Sequence, residues 1–238
     1  MTGAGDCAIA VMAKAPVAGR AKTRLVPPLD TAQAARLAAA FIADTTANIR
    51  AAGLAAYAAY APAGDEAVLA AACAPGTRLL LADGSGGEAA GVAGLGRALL
   101  HATRGLLTRG HGSVCLLSAD SPTVPTRFLA EAARLLAAPA QRAVLGAAED
   151  GGYWLLGMRT AHVRLFADIA WSTEAVAEAT RERAREIGLD LVELPVWYDV
   201  DDRASLARLR RELMAPPPEA FAAPATRAAL DELAEVAA

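Results

Sequence analysis

Lysine is almost absent from this 238-residue chain: Lys14 and Lys22 are its only two, and arginine is the fixed cation everywhere else. Cysteine is sparse as well. Cys7, Cys73 and Cys115 are odd in number and far apart, so no disulfide framework is implied. Cys7 and Cys115 sit in apolar runs that suit buried thiols. No uninterrupted apolar stretch reaches membrane-spanning length. The N-terminus lacks a basic flank followed by a sustained apolar core, so no signal peptide is expected. His101, His111 and His162 show neither metal-ligand spacing nor a paired nucleophile. There is no G-x-S-x-G, no Walker-type loop and no G-x-G-x-x-G after the first strand. A net charge of −3 provides no global basic field for nucleic acid. A cytoplasmic protein is the default expectation.

Both lysines fall in one stretch, Lys14-Ala-Pro-Val-Ala-Gly19-Arg20-Ala-Lys22-Thr23-Arg24. An apolar run precedes it and a long amphipathic pattern begins near Thr31. It therefore reads as a strand-to-helix loop, punctuated by Pro16 and Gly19 and carrying four cations with no acid. A polyphosphate requires such a place: backbone N–H groups, positive charge and no bulky side chain in the way. Lys14, Gly19, Arg20, Lys22, Thr23 and Arg24 are accordingly candidate nucleotide-binding residues. The alternative is a solvated basic loop.

Strands and helices alternate along the chain. Cys7–Lys14 predicts the first strand, an apolar run expected where both faces are covered. Asp30 and Gln33 form a capping-box-like start for a helix that Gly53 closes. Leu54–Ala61 is a weaker strand, 65–73 a short helix and 77–83 the third strand. A glycine-rich loop and the helix 94–109 lead to the fourth strand at 113–120. A helix opening at Pro125 or Thr126 runs to about Ala137. Arg142–Ala148 and Tyr153–Met158 are joined closely enough to pair antiparallel. Ser172 or Thr173 is expected to cap a helix ending at Gly188. A last strand at 191–200, a helix at 204–213, a triple proline at 216–218 and a helix to Glu235 complete the chain. The pattern argues an α/β fold, one domain (1–214) with a doubly wound, mostly parallel sheet, a short antiparallel element near 142–158 and a C-terminal helical tail (215–238). Ligands bind beyond the carboxyl ends of strands in such sheets.

Several acids fall at those ends. Asp120 closes the fourth strand before Ser121-Pro122. Asp199-Val-Asp201-Asp202 follows the last, with Asp199 and Asp201 alternating to one side of an extended backbone. Two carboxylates facing one way are costly unless a cation or a basic partner lies between them. Asp120, Asp199 and Asp201 are therefore candidate ligands for magnesium or manganese, while Asp202 suits an ordinary helix cap. Glu149-Asp150-Gly151-Gly152-Tyr153 places two acids before a diglycine. Glu149 or Asp150 could orient an acceptor or act as a general base, with Gly151, Gly152, Tyr153, Ser172 and Thr173 as candidate acceptor contacts. Trp154 suits the core. Gly94 and Gly96 could let a nucleobase lie against the backbone.

Taken together, AVMAKAPVAGRAKTRL, LLSADSPTVP, AAEDGGYWLLG, IAWST and DVDD resemble the bacterial arsenosugar-biosynthesis-type glycosyltransferase family, within the nucleotide-diphospho-sugar transferase superfamily (GT-A fold). The resemblance spans about residues 7–206 and leaves the tail outside. It implies that Lys14, Arg20, Lys22 and Arg24 line nucleotide phosphates, and that Asp120 is the metal-binding acid of a D-x-D-like position. Here that position reads Ser118-Ala-Asp120, with only the last acid. It also implies that D-V-D supplies a second metal element. Lys-Thr-Arg-Leu resembles, in addition, the loop of phospholactate and molybdopterin-cofactor guanylyltransferases. Two enzymatic readings follow: glycosyl transfer from a nucleoside-diphosphate sugar to a small acceptor, with Lys22, Glu149 and Asp150 as catalytic residues, and nucleotidyl transfer to a phosphorylated molecule with pyrophosphate release. A nucleotide-binding protein without turnover is the third. A homodimer is left open.

Overall fold

The first strand, β1 (Cys7–Ala13), is buried on both faces, which accounts for its unbroken apolar run. Cys7, Ile9 and Val11 belong to one apolar layer, Ala8 and Ala10 to the other. The computed structural model describes residues 6–138 and 140–235; residues 1–5 and 236–238, at the limits of the expected domain and tail, and residue 139 within the domain lie outside them. Around β1 lie β2 (Ala55–Tyr60), β3 (Arg78–Leu81), β4 (Ser113–Ser118), β5 (Arg142–Ala148), β6 (Tyr153–Met158) and β7 (Asp190–Trp197). They form one seven-stranded sheet in the order β3-β2-β1-β4-β6-β5-β7. Only β6 runs against its neighbours, pairing antiparallel with both β4 and β5. The doubly wound, mostly parallel sheet with an antiparallel element at 142–158 is thus the fold of this protein.

Helices cover both faces. Residues of α1 (Thr31–Ala51), α2 (Glu66–Ala72) and α4 (Thr126–Ala137) fill one layer with Ile42, Leu69 and Phe128. Those of α3 (Leu95–Thr108) and α5 (Val176–Glu186) fill the other with Leu99, Leu100 and Ala184. The capping box of α1 is formed: Asp30 accepts from the Gln33 amide at 2.7 Å, and Gln33 accepts from the Asp30 amide at 2.9 Å. Gly53 follows the helix in a left-handed conformation. The start of α5 differs from the expectation. Neither Ser172 nor Thr173 caps it; the helix opens four residues after Ser172 because Thr173 Oγ1 donates instead to Ala170 O at 2.7 Å, closing a local turn.

A third apolar cluster joins α1, α6 (Arg203–Met214) and α7 (Pro224–Glu235) through Leu37, Phe41, Leu206, Leu209, Leu230 and Leu233. The first turn of α7 is capped from a distance. Ala223 precedes Pro224 and has no side-chain acceptor, so the acceptor comes from the middle of α1. Asp44, 1% exposed, accepts from Ala225 N at 3.0 Å and Thr226 N at 2.6 Å. Burial pushes this carboxyl up, and the amide bonds only partly offset the rise. Asp44→Ala would strand both amides. We expect a loss of roughly 1–3 kcal/mol in urea unfolding, with easier proteolysis between α6 and α7; an unchanged midpoint would show that apolar packing alone holds the tail.

Candidate functional site

The carboxyl ends of β1 and β4 open into a cavity of about 880 Å³. Lys14, Arg20, Lys22, Thr23 and Arg24 line it from the loop after β1, Asp120 from the end of β4, and Asp199 and Asp201 from beyond β7. Asp150, Gly152, Tyr153, Ser172 and Thr173 complete the predicted residues on its wall.

Lys22 stands at the centre of this arrangement. It enters the short 3-10 turn Thr23–Leu25 in a left-handed conformation, φ 47° and ψ 42°, while Leu25 is fully buried. A non-glycine residue adopts this conformation at a cost of roughly 1–2 kcal/mol, so the surroundings must hold it there. The side chain runs inward over the Phe41 ring, 5.3 Å from its centre. Its Nζ meets three oxygens: Val200 O at 2.6 Å, Asp120 Oδ1 at 2.7 Å and Asp201 Oδ1 at 2.8 Å. Those acids are fixed in turn. Val200 N donates to Asp120 O at 2.8 Å, lacing the end of β4 to the segment after β7. Val200 is buried, which leaves Asp199 and Asp201 on the cavity side, as strand alternation requires. Asp202 takes no part; it caps α6 by accepting from Ser205 N at 2.8 Å.

One ammonium serves too many carboxylates. Burial would lower the Lys22 pKa, but Asp120 and Asp201 together outweigh it and raise it. Burial opposes ionisation of Asp201 too, yet Lys22 holds its carboxyl below the ordinary range. Asp120 goes up, because burial and the Asp201 charge exceed the help from Lys22. Asp199 is pushed up to about 6, by burial first and then by Asp150, Asp201 and Asp120. The oxygen donors suit a hard divalent cation, and Asp199 is the group whose charge such an ion would relieve. As they stand, however, Asp120 and Asp201 are drawn onto Lys22. Among the described residues no group of three or more His, Cys, Asp or Glu side chains is arranged to hold a metal ion.

The other loop cations divide by partner. Arg20 pairs with Asp65 through two contacts, 2.6 and 3.3 Å. Lys14 and Arg24 line the cavity and make no ion pair among the described residues. These two are the cations most available to an anion.

Five predicted residues lie off the cavity wall. Gly19 has φ +78° with open space around it, so it makes the turn and approaches nothing. Gly96 packs under Trp171 and the Phe166 carbonyl, where a Cβ would come within 2.8 Å of that oxygen. It tightens α3 against the loop before α5; neither it nor Gly94 lines the cavity. Glu149 is held by Arg208, Oε2 to Nη1 2.5 Å, while Arg208 stacks on Tyr198. Gly151, φ +86°, is pressed against the Glu174 backbone, where a Cβ would lie 2.0 Å from the carbonyl oxygen. Ala177 N donates to Gly151 O at 2.8 Å. The diglycine therefore docks one loop on another. Asp150 Oδ1 accepts from Gly152 N at 2.8 Å, and the residue lines the cavity.

Sequence reasoning passes over several wall residues. Trp171 faces Tyr153 edge-on, ring centres 6.4 Å apart. Tyr153 Oη and Trp171 Nε1 are both buried without a hydrogen-bond partner among the described residues. Leu95 is 48% exposed between Gly94 and Gly96 and also lines the cavity. An exposed leucine flanked by glycines was the available signal.

Sheet, switch-point cavity and charged lining define a doubly wound α/β protein with a charged cavity at the carboxyl ends of its strands. The chain belongs to the bacterial family described as uncharacterized protein conserved in bacteria (DUF2064), which it matches over residues 44–173. That span contains Asp120, Asp150 and Ser172-Thr173. A crystal structure from Desulfovibrio desulfuricans G20, of a candidate nucleotide-diphospho-sugar transferase, is similar over 99% of this chain and 97% of that one, with 26% identity and a TM-score of 0.80. CMP:2-keto-3-deoxy-manno-octonic acid synthetase complexed with CTP shares the fold at 13% identity and TM-score 0.55, over 88% of this chain and 98% of that one. A cytidylyltransferase from Leptospira borgpetersenii shares it at 10% identity and TM-score 0.56, over 97% and 96%. No curated protein matches the chain.

The raised Asp199 pKa has a stability signature. Its carboxyl takes up a proton at about 6 in the folded chain against an ordinary 3.8. The folded state therefore binds more protons in that window, and stability falls as pH rises through it. Asp199→Asn should raise the melting temperature at about pH 8 in chelator, with the gain vanishing below about pH 3, where Asp199 is neutral in both states. A gain independent of pH would refute the charge account.

Proposed function

We propose that this protein is a transferase for a nucleotide-activated donor, with glycosyl transfer from a nucleoside-diphosphate sugar to a small acceptor as its leading form. The supporting observation is convergence: a loop of cations after β1 and carboxylates from beyond β4 and β7 share one cavity, with Lys22 touching Asp120 and Asp201. Lys14 and Arg24 would grip the diphosphate by charge and N–H donors. Asp120, Asp199 and Asp201 would hold a magnesium or manganese ion, whose chemistry when bound is to neutralise charge developing on the leaving diphosphate.

Asp150 is the proposed base, with Glu149 already engaged by Arg208. Its carboxylate takes the proton of the acceptor hydroxyl. The acceptor oxygen then bonds to the anomeric carbon as the bond from that carbon to the diphosphate oxygen breaks, its electron pair leaving with the nucleoside diphosphate. Gly152, Tyr153, Ser172 and Thr173 flank Asp150 and would shape the acceptor side. The resemblance to the Desulfovibrio desulfuricans protein supports a nucleotide-activated donor for either form.

Nucleotidyl transfer is the second reading, favoured by the density of cations. Lys14, Arg20 and Arg24 all line the cavity, more positive charge than one sugar diphosphate requires. The two forms release different products. With manganese present, glycosyl transfer gives nucleoside diphosphate and no pyrophosphate; nucleotidyl transfer gives pyrophosphate from a triphosphate. Arg24→Ala should weaken nucleotide affinity about tenfold with little change in melting temperature, and Asp120→Asn should remove turnover. If no nucleotide or nucleotide sugar, with manganese, raises the melting temperature, the reading falls.

A further inference from the structure

We infer that Lys22 is the resident counter-ion of the Asp120–Asp201 pair, and that it yields this place to a divalent cation only when a phosphate-bearing ligand receives the displaced ammonium. The inference rests on the metal and phosphate roles proposed above and assigns the order in which the site fills.

Geometry carries it. An ammonium has three N–H donors, and three oxygens lie within 2.8 Å of Lys22 Nζ. No donor is left for a phosphate while these contacts last. The side chain is only 7% exposed and lies over Phe41, so water does not stand ready to solvate the displaced charge. A divalent ion entering alone would have to expel a paired, buried cation and leave it beside a like charge, which is strongly unfavourable. A phosphate changes the balance. Lys14 and Arg24 have no competing ion pair among the described residues and can hold it first. The ion then replaces Lys22 between the carboxylates, and Lys22 turns onto the phosphate. Metal and phosphate should therefore bind cooperatively: Lys22 excludes the ion until phosphate is present, and the phosphate is held more weakly until the ion frees Lys22.

Two measurements test this. In the first, free Mn2+ is followed by electron paramagnetic resonance without nucleotide. Lys22→Met should bind Mn2+ at least about tenfold more tightly than wild type. Equal or weaker binding by the variant overturns the inference. The second uses the wild-type chain and so survives a variant that does not fold. With only Lys14 and Lys22 in the sequence, 15N-lysine labelling gives two side-chain ammonium signals. Mg2+ alone should leave the Lys22 signal in place; Mg2+ with inorganic pyrophosphate should move it. Movement of the Lys14 signal with a stationary Lys22 overturns the exchange and spares the phosphate site. No Mn2+ binding by either protein, with both ammonium signals unmoved by Mg2+ and pyrophosphate, removes the metal–phosphate reading and this inference with it.

Discussion

A single buried ammonium group ties the beginning of this fold to its end. Lys22 comes from the loop after the first strand, Asp120 from the fourth, Val200 and Asp201 from the segment after the seventh. All meet within 2.8 Å. The sheet order makes the meeting inevitable in outline, because β1 and β4 are adjacent and parallel. The left-handed backbone at Lys22 makes it specific. Removing either kind of partner would leave a buried charge without compensation, which costs far more than the net worth of the pair. The same group thus acts as a structural clasp and as the element that governs access to the carboxylates.

Much of the fold is legible residue by residue. Buried parallel strands show as unbroken apolar runs, and both capping positions, Asp30 and Asp202, show as acids three residues before a partner side chain. The acids at strand ends are legible for the same reason: a polar residue that interrupts an apolar run marks the rim of the sheet. Alternation around buried Val200 then decides which of the closing acids face the cavity.

Partnership is what local pattern does not encode. Arg20 finds Asp65 across 45 residues, Glu149 finds Arg208 across 59, and the cap of α7 comes from Asp44, 181 residues away. Each depends on which helix lies over which strand. Glycines are equally silent about motive. Gly94, Gly96 and Gly151 look like invitations to a ligand, yet Gly96 and Gly151 are small because backbone or indole presses on them. The start of α5 is hidden likewise, since Thr173 spends its hydroxyl on a turn that precedes the helix.

Charge arithmetic connects these partnerships to function. Four carboxylates, Asp120, Asp150, Asp199 and Asp201, influence one another around the cavity, and one ammonium is paired among them. Lys14 and Arg24 line the same cavity and make no ion pair among the described residues, and Arg24 is near enough to Asp201 to help hold its carboxyl down. Such a surplus of carboxylates is costly in a half-buried site, and a fold under selection for stability alone would neutralise it. On the function proposed above, it would become favourable when a ligand brings a cation to the carboxylates and an anion to Lys14 and Arg24. A divalent ion with a diphosphate would bring both charges, whereas a free metal ion would bring only the first. On that same function, the arrangement would favour the combined species over either component, with Lys22 as the residue through which each half would sense the other.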